Sequence, residues 1–332
     1  MKIAVFGYYH HLNYGDDRLG QALVHALYPH TVVLLPHNQT PPDLDWFDFV
    51  LIGGGGLVWA EVGIWADTIH WLTKSNKPFG VVGLGINELN ANLKPALMWM
   101  VEHAEIFAVR DRKSHALLDC HPKAKVMPDL TWMIPYPLRD SAQMDQSIAL
   151  SIASKHPQGY DPLDWQEAFS AIENLVPFPL RFGKNHDADL FRTLGFHPVP
   201  QEFSIEPLYR CRCLIATRFH AAIFALQIGV PFIAILYDDK VRRLLADHNL
   251  EDLGLEFDQF DQLEEKLQKL MQDQALVTTR ILQVSDRLRS EGEQLRIQLT
   301  ATVNAARSNS PKTVKQQVAR FLKQMVGTTT AG

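Results

Sequence analysis

A chain of 332 residues that is 46% hydrophobic and 21% charged holds enough apolar side chains for two ordinary domains, each with its own core. Its net charge of −5 supplies no global basic field, which argues against a nucleic-acid binder. Three cysteines, Cys120, Cys211 and Cys213, make no disulfide framework, and C-x-C without a second Cys/His pair is a poor zinc signature, so buried reduced thiols are expected.

The opening M-K-I-A-V-F-G enters a strand directly and lacks the longer apolar core and cleavage site of a signal peptide, so a cytoplasmic chain is expected. From Lys2 to about Pro128, short apolar runs alternate with helical stretches: K-I-A-V-F-G, T-V-V-L-L, F-V-L-I-G-G-G-G, F-G-V-V-G-L-G, E-I-F-A-V-R and A-K-V-M-P-D. Such alternation predicts right-handed βαβ units and a mostly parallel sheet. In the first βα turn, Asn13 and Gly15 suit a turn and Asp16 or Asp17 suits the cap of a helix running to about Leu27. The polar Tyr-Tyr-His-His run beside them makes Asn13 and Asp16 candidate binding residues.

The tetraglycine Gly53, Gly54, Gly55 and Gly56 follows F-V-L-I and is expected to precede a helix. Glycines let backbone N–H groups approach an anion, so a ligand-facing turn is favoured there. It is not a dinucleotide fingerprint, because Val58 stands where G-x-G-x-x-G needs its last glycine. G-L-G at 83 to 85 is read as tight packing. Further on, E-I-F-A-V-R-D-R-K-S puts Arg110 and Arg112 at a strand's carboxyl end. Buried guanidinium groups pair with acids or face an anionic ligand; Arg110, abutting the strand, is the better ligand candidate, and a surface ion pair is the plainer reading of Arg112.

The segment Y-P-L-R-D-S-A-Q-M-D-Q around 136 to 146 loses the alternation and reads as a linker. A second α/β set follows in S-I-A-L-S-I, V-P-F-P-L-R-F, C-L-I-A-T and P-F-I-A-I-L-Y. The apolar run from Cys213 to Tyr237 is no membrane span, because Arg218, His220, Gln227, Gly229 and Pro231 interrupt it. It predicts a buried strand at Leu214 to Thr217, a helix at about Phe219 to Ile228, a turn, and a strand at Phe232 to Tyr237. Ligands of parallel sheets bind at the carboxyl ends of strands, where Arg218 and His220 fall and where Y-D-D-K places Lys240.

After Phe257 the chain turns helical, first in L-E-E-K-L-Q-K-L-M-Q and then in a longer stretch to about Ala306. In the tail, Val314, Val318, Phe321, Leu322 and Met325 follow helical spacing, while Lys312, Lys315, Arg320 and Lys323 lie largely elsewhere. A basic amphipathic helix of this kind either packs on its own protein or makes a peripheral contact with anionic lipid at the inner face of a membrane.

The expected architecture is α/β, two doubly wound Rossmann-like domains facing a cleft: residues 1–138, residues 145–306 with a helical extension, and the tail 307–332. Cations Arg110, Arg218 and Lys240, the proton carrier His220 and the glycine turns lie at strand ends of both halves. That arrangement predicts an anionic substrate in the cleft. No His/Asp/Glu triad suggests a metal, so neither metal nor cofactor is expected.

In their order, N-Y-G-D-D, L-I-G-G-G-G-L, V-R-D-R-K-S, M-P-D-L, T-R-F-H-A-A-I-F-A-L-Q-I-G-V-P and L-Y-D-D-K resemble the polysaccharide pyruvyl transferase family, from about residue 3 to residue 250. The resemblance implies a fold like that of the type B glycosyltransferases. It also implies transfer of an enolpyruvyl-derived group from phosphoenolpyruvate to a sugar as a pyruvate ketal, with the active-site positions matching Arg218, His220 and Arg110. Phe219 stands where Leu is usual, and G-L-G-I-N-E-L-N lacks the usual polar, proline-containing continuation, which bears on acceptor recognition.

On this reading Arg110 and Arg218 clamp the donor's carboxylate and phosphate, His220 carries protons, and Asp16 or Glu61 positions sugar hydroxyls. The expected partners are phosphoenolpyruvate and a saccharide acceptor of a cell-surface polysaccharide or exopolysaccharide, free or lipid-linked. A nucleotide-sugar glycosyltransferase of the same architecture and a non-catalytic relative remain the competing readings.

Overall fold

The computed structural model of the chain describes residues 1–36, 44–58, 68, 70–74, 77–154 and 162–306. By its internal contacts the chain divides into two compact units, one of Met1–Tyr9, Leu19–Leu130 and the chain from Glu293, the other of His10–Arg18 and Thr131–Gly292. The tail at 307–332, and with it the lipid-contact expectation, lies outside the described residues.

The first unit is built on six parallel strands, β1 (Lys2–Gly7), β2 (Thr31–Pro36), β3 (Phe49–Val58), β4 (Phe79–Ile86), β5 (Phe107–Val109) and β6 (Ala124–Val126). Their order is β2-β1-β3-β4-β5-β6, and each neighbouring pair is parallel. Helices α1 (Tyr14–Ala26), α2 (Lys94–His103) and α3 (Arg112–Leu117) connect strands, as parallel pairing requires. β4 is buried at every position, which is why F-G-V-V-G-L-G-I reads as an unbroken apolar run rather than an alternating one.

The tetraglycine departs from expectation. It does not sit in a turn but inside β3, where Gly54 and Gly55 take positive φ of 70° and 93° and the register against β4 shifts between Gly55 and Val58. Left-handed backbone in the middle of a strand makes a bulge that only glycine enters without strain.

The second unit carries five parallel strands, β7 (Ile148–Ser151), β8 (Leu175–Pro177), β9 (Cys213–Ala216), β10 (Phe232–Leu236) and β11 (Gly254–Glu256), in the order β11-β10-β9-β7-β8. Its helices are α4 (Pro162–Ser170), α5 (Asp187–Thr193), α6 (Glu206–Arg210), α7 (Phe219–Ile228), α8 (Asp239–Asp247) and α9 (Leu263–Gln272). A last helix, α10 (Gln274–Ala306), gives its first part to this unit, where Val277, Ile281, Val284 and Leu288 join the core. Both units are thus parallel sheets with alternating helices, two Rossmann-like folds.

All ten residues of α7 are buried, so this mostly apolar helix is enclosed on every face and forms the centre of its unit. Gly229 ends it in the left-handed conformation, φ 82°, and Pro231 forbids its continuation. Segment 136–146 is not a bare linker: Tyr136 N donates to Gln227 Oε1 at 3.2 Å and Arg139 N to the Ile228 carbonyl at 3.0 Å, tying it to the end of α7. Cys211 and Cys213 are buried free thiols, Cys211 pushed up to about 12 by its desolvation; Cys120, by contrast, is exposed.

No helix of the described residues is long and apolar enough to cross a membrane.

Candidate functional site

In the second unit the chain leaves β9 at Thr217 and turns at Arg218, whose extended backbone, φ −79° and ψ 126°, makes it the residue that opens α7. Arg218 points its fork at Asp187, the first residue of α5: Nε donates to Oδ2 at 3.0 Å and Nη2 donates to Oδ1. Asp187 is fully buried and also accepts from the backbone N–H groups of Ser154 (3.2 Å), Leu180 (3.3 Å) and Arg181 (3.0 Å). One carboxylate therefore joins the chain just beyond β7, β8 and β9. Burial works against the Arg218 charge, but the Asp187 carboxylate more than offsets it, with Tyr237 and Asp16 adding to it, so the guanidinium is held above its ordinary range.

His220 lies one residue into α7 and is 8% exposed. Its imidazole stacks toward Phe224, with ring centroids 6.2 Å apart at 29°, and presses on the start of α1. A Cβ on Gly15 would fall 2.2 Å from His220 Nδ1 and 2.5 Å from Cγ. Gly15 is thus needed for close approach, not for a turn.

The segment 10–18 belongs to this unit through its backbone: Asn13 pairs with Arg181 in an antiparallel bridge, Tyr14 N donates to the Leu180 carbonyl at 2.9 Å, and Phe182 N donates to the Leu12 carbonyl at 3.0 Å. Asn13 Nδ2 donates to Asp16, and Asp17 Oδ1 accepts from His10 N at 2.8 Å. Neither aspartate is the helix cap, as the sequence suggested; α1 begins earlier, at Tyr14, and both lie in its first turn, where their charge favours the helix dipole.

Lys240 is the second residue of α8, close to its cap Asp238, whose carboxylate sits 2.9 Å from Nζ and also accepts from the Lys240 backbone N. That local pair satisfies the lysine. His186, next to Asp187, is held below the usual histidine range by burial and by Arg181, with Arg218 acting in the same direction and Asp187 against it. Arg181, His186 and Asp187 all escape sequence reading: K-N-H-D-A-D-L looks like an ordinary polar helix start, and the acids in its first turn are the only local signal.

In the first unit, Arg110 follows β5 with its side chain 3% exposed and Nε 3.7 Å from Asp111 Oδ2. Asp111 is engaged elsewhere, capping α3 by accepting from Ser114 N at 2.7 Å. The Arg110 guanidinium lies across two glycines: a Cβ on Gly85 would fall 2.5 Å from Nε, and one on Gly56 would fall 3.4 Å from Nη2. Asn87 Nδ2 donates to the Gly56 carbonyl at 3.4 Å. Gly56 and Gly85 of the two glycine runs thus make room for one arginine, a connection the sequence did not reveal. Gly53 and Gly54 instead face Leu23, Leu19 and Leu130 and serve packing. Arg112 is exposed at the first position of α3. Glu61 lies outside the described residues.

Solved structures share this architecture at low identity. The calicheamicin glycosyltransferase CalG4 aligns with a TM-score of 0.53 at 12% identity, over 92% of this chain and 97% of its own. Anabaena HepE in complex with UDP-glucose aligns at 0.55 and 11%, over 98% and 100%. The UDP-GlcNAc 2-epimerase of Neisseria meningitidis bound to UDP-GlcNAc aligns at 0.56 and 11%, over 92% and 100%. At these identities the likeness establishes the fold, that of type B glycosyltransferases and related epimerases. No curated protein sequence matches the chain. The family model for polysaccharide pyruvyl transferases matches residues 13–239, from the asparagine that pairs with Arg181 to the first residue of α8. With more than half of its length matched, the chain belongs to the polysaccharide pyruvyl transferase family.

Proposed function

We propose that this protein transfers the pyruvyl group of phosphoenolpyruvate to a sugar of a cell-surface polysaccharide or exopolysaccharide, free or lipid-linked, closing a cyclic ketal on two hydroxyls. The observation that carries the reading is the opening of α7, where a guanidinium kept charged by a buried carboxylate stands two residues from a buried imidazole. Phosphoenolpyruvate is a small ligand with a carboxylate and a phosphate, and an arginine fork grips either.

Asp187 takes the Nε–H and one Nη2–H of Arg218, so an anionic donor is met by the opposite edge, which carries Nη1. His220 gives a proton to the terminal carbon of the enol, and the first sugar hydroxyl adds to the neighbouring carbon. The hydroxyl's proton returns to the imidazole. Departure of inorganic phosphate lets the second hydroxyl add at the same carbon, its proton leaving with the phosphate. Asp16, held by Asn13, is the proposed acceptor-side group in this unit. Arg110 is proposed as a donor-binding residue on the family resemblance together with its burial, and Lys240 as a contributor of local charge only.

His220→Gln should keep the melting temperature while lowering turnover at least about a hundredfold. The test of the donor is thermal melting with phosphoenolpyruvate and with UDP-glucose, followed by phosphate release on galactose-, glucose- and mannose-containing acceptors. Concentration-dependent stabilisation by phosphoenolpyruvate with phosphate release is expected. Two structures of the same fold hold nucleotide sugars, so stabilisation by UDP-glucose alone would replace this reading with a nucleotide-sugar transferase.

A further inference from the structure

We infer that Asp187 is a positioning residue: it never touches substrate, but it fixes the orientation of Arg218 and thereby which edge of the guanidinium an anionic donor meets. The inference rests on the proposed donor chemistry. Its basis is geometric. Asp187 is fully buried at the first position of α5, both of its oxygens take an Arg218 N–H, and three backbone N–H groups from Ser154, Leu180 and Arg181 hold it in place. A carboxylate so anchored has one orientation, and its partner inherits it.

A purely structural ion pair would need no such asymmetry. Here the acid is enclosed on every side while the Arg218 side chain keeps 15% of its surface, so the pair has one sealed member and one that reaches solvent. The exposed member lies between Thr217 and Phe219, two residues from His220. Because Arg218 opens α7, holding its side chain also holds the turn that aims the imidazole. The sealed acid thus acts at one remove from the chemistry.

The experiment compares the full-length wild type with Asp187→Asn, Asp187→Glu, Arg218→Ala and the double variant Asp187→Asn/Arg218→Ala. Donor KM and kcat are read by phosphate release, and the rate of phenylglyoxal modification at Arg218 is read by mass spectrometry without any ligand. Asp187→Asn removes the charge-assisted pairing, so donor KM should rise about tenfold or more while kcat changes less. Arg218 should become faster to modify, Asp187→Glu should recover part of the donor affinity, and in the Arg218→Ala background Asp187→Asn should add no further change in KM. Lower melting temperature with unchanged donor KM would assign Asp187 to the fold alone and overturn the inference, as would full additivity in the double variant. If Asp187→Asn does not fold, Asp187→Glu and the double variant, which buries no lone charge, still decide the question. Wild type that neither binds nor turns over phosphoenolpyruvate would sink the donor reading, while unchanged phenylglyoxal reactivity in Asp187→Asn would sink the positioning role independently.

Discussion

Arg110 and Arg218 each follow a parallel strand, each lies close to an aspartate, and each is mostly buried, yet the two units treat them differently. Arg218 has a dedicated acid, Asp187, that is sealed from solvent and saturated with donors. Arg110 has Asp111 at 3.7 Å, an acid that also caps α3, and its guanidinium lies where Gly85 and Gly56 carry no side chain. One arginine is held by a sealed acid, and the other lies against two glycines beside an acid that also caps a helix. The first arrangement gives a fixed direction of charge, the second a seat that a change of volume can spoil.

The largest test of this contrast is stability. Asp187→Ala leaves a mostly buried guanidinium without its acid and should cost about 3–5 kcal/mol in denaturant unfolding. A cost below that of an ordinary surface change would mean that water replaces the carboxylate.

Next come the two glycines on which site residues rest. Gly15→Ala puts a methyl 2.2 Å from His220 Nδ1, against a ring whose own helix is buried all round, and should lower turnover about a hundredfold with little loss of fold. Gly85→Ala meets the end of a longer, jointed side chain, so about tenfold or less is expected there. Equal effects on turnover would erase the distinction between the two sites.

Asp111→Ala should cost about 1 kcal/mol, mostly the loss of a helix cap, its 3.7 Å contact with Arg110 adding little. A cost matching that of Asp187→Ala would show that Arg110 depends on its acid after all.

The smallest effect is a pH dependence. His186 has its folded pKa below the unfolded value of 6.5, so the unfolded chain binds more protons between those two values. Its contribution to stability is complete above about pH 6.5 and is lost as pH falls through the window beneath. Melting temperature measured from pH 7.5 down to 5 should therefore decline less in His186→Gln. An identical decline would place the titration elsewhere.

What the sequence disclosed and what it withheld follow from range. The buried strands and α7 were legible because continuous apolar runs and a Gly-x-Pro stop are local signals, and the place of Arg218 and His220 follows from the strand-to-helix junction alone. Asp187 was not legible, because its partner lies 31 positions away and its own surroundings are those of any exposed helix start. The tetraglycine misled for the opposite reason: glycine announces backbone freedom, and here that freedom is spent on a bulge within β3. Gly85 was read as packing without the knowledge that the group packed against it is a guanidinium.

The division of the chain has a consequence for how the protein is made. Residues 10–18 leave the ribosome with the first strands but find their partners, the chain around Leu180 and His220, only after most of the polypeptide has emerged, while Leu295, Leu299 and Val303 of α10 return at the end to the unit that began first. Neither unit can be finished from a contiguous stretch of nascent chain. A gene cut between the two sheets would therefore yield two fragments that each lack a piece of their own core, and a rearranged gene that grafts 10–18 onto 131–292 is the fragment with a prospect of folding by itself.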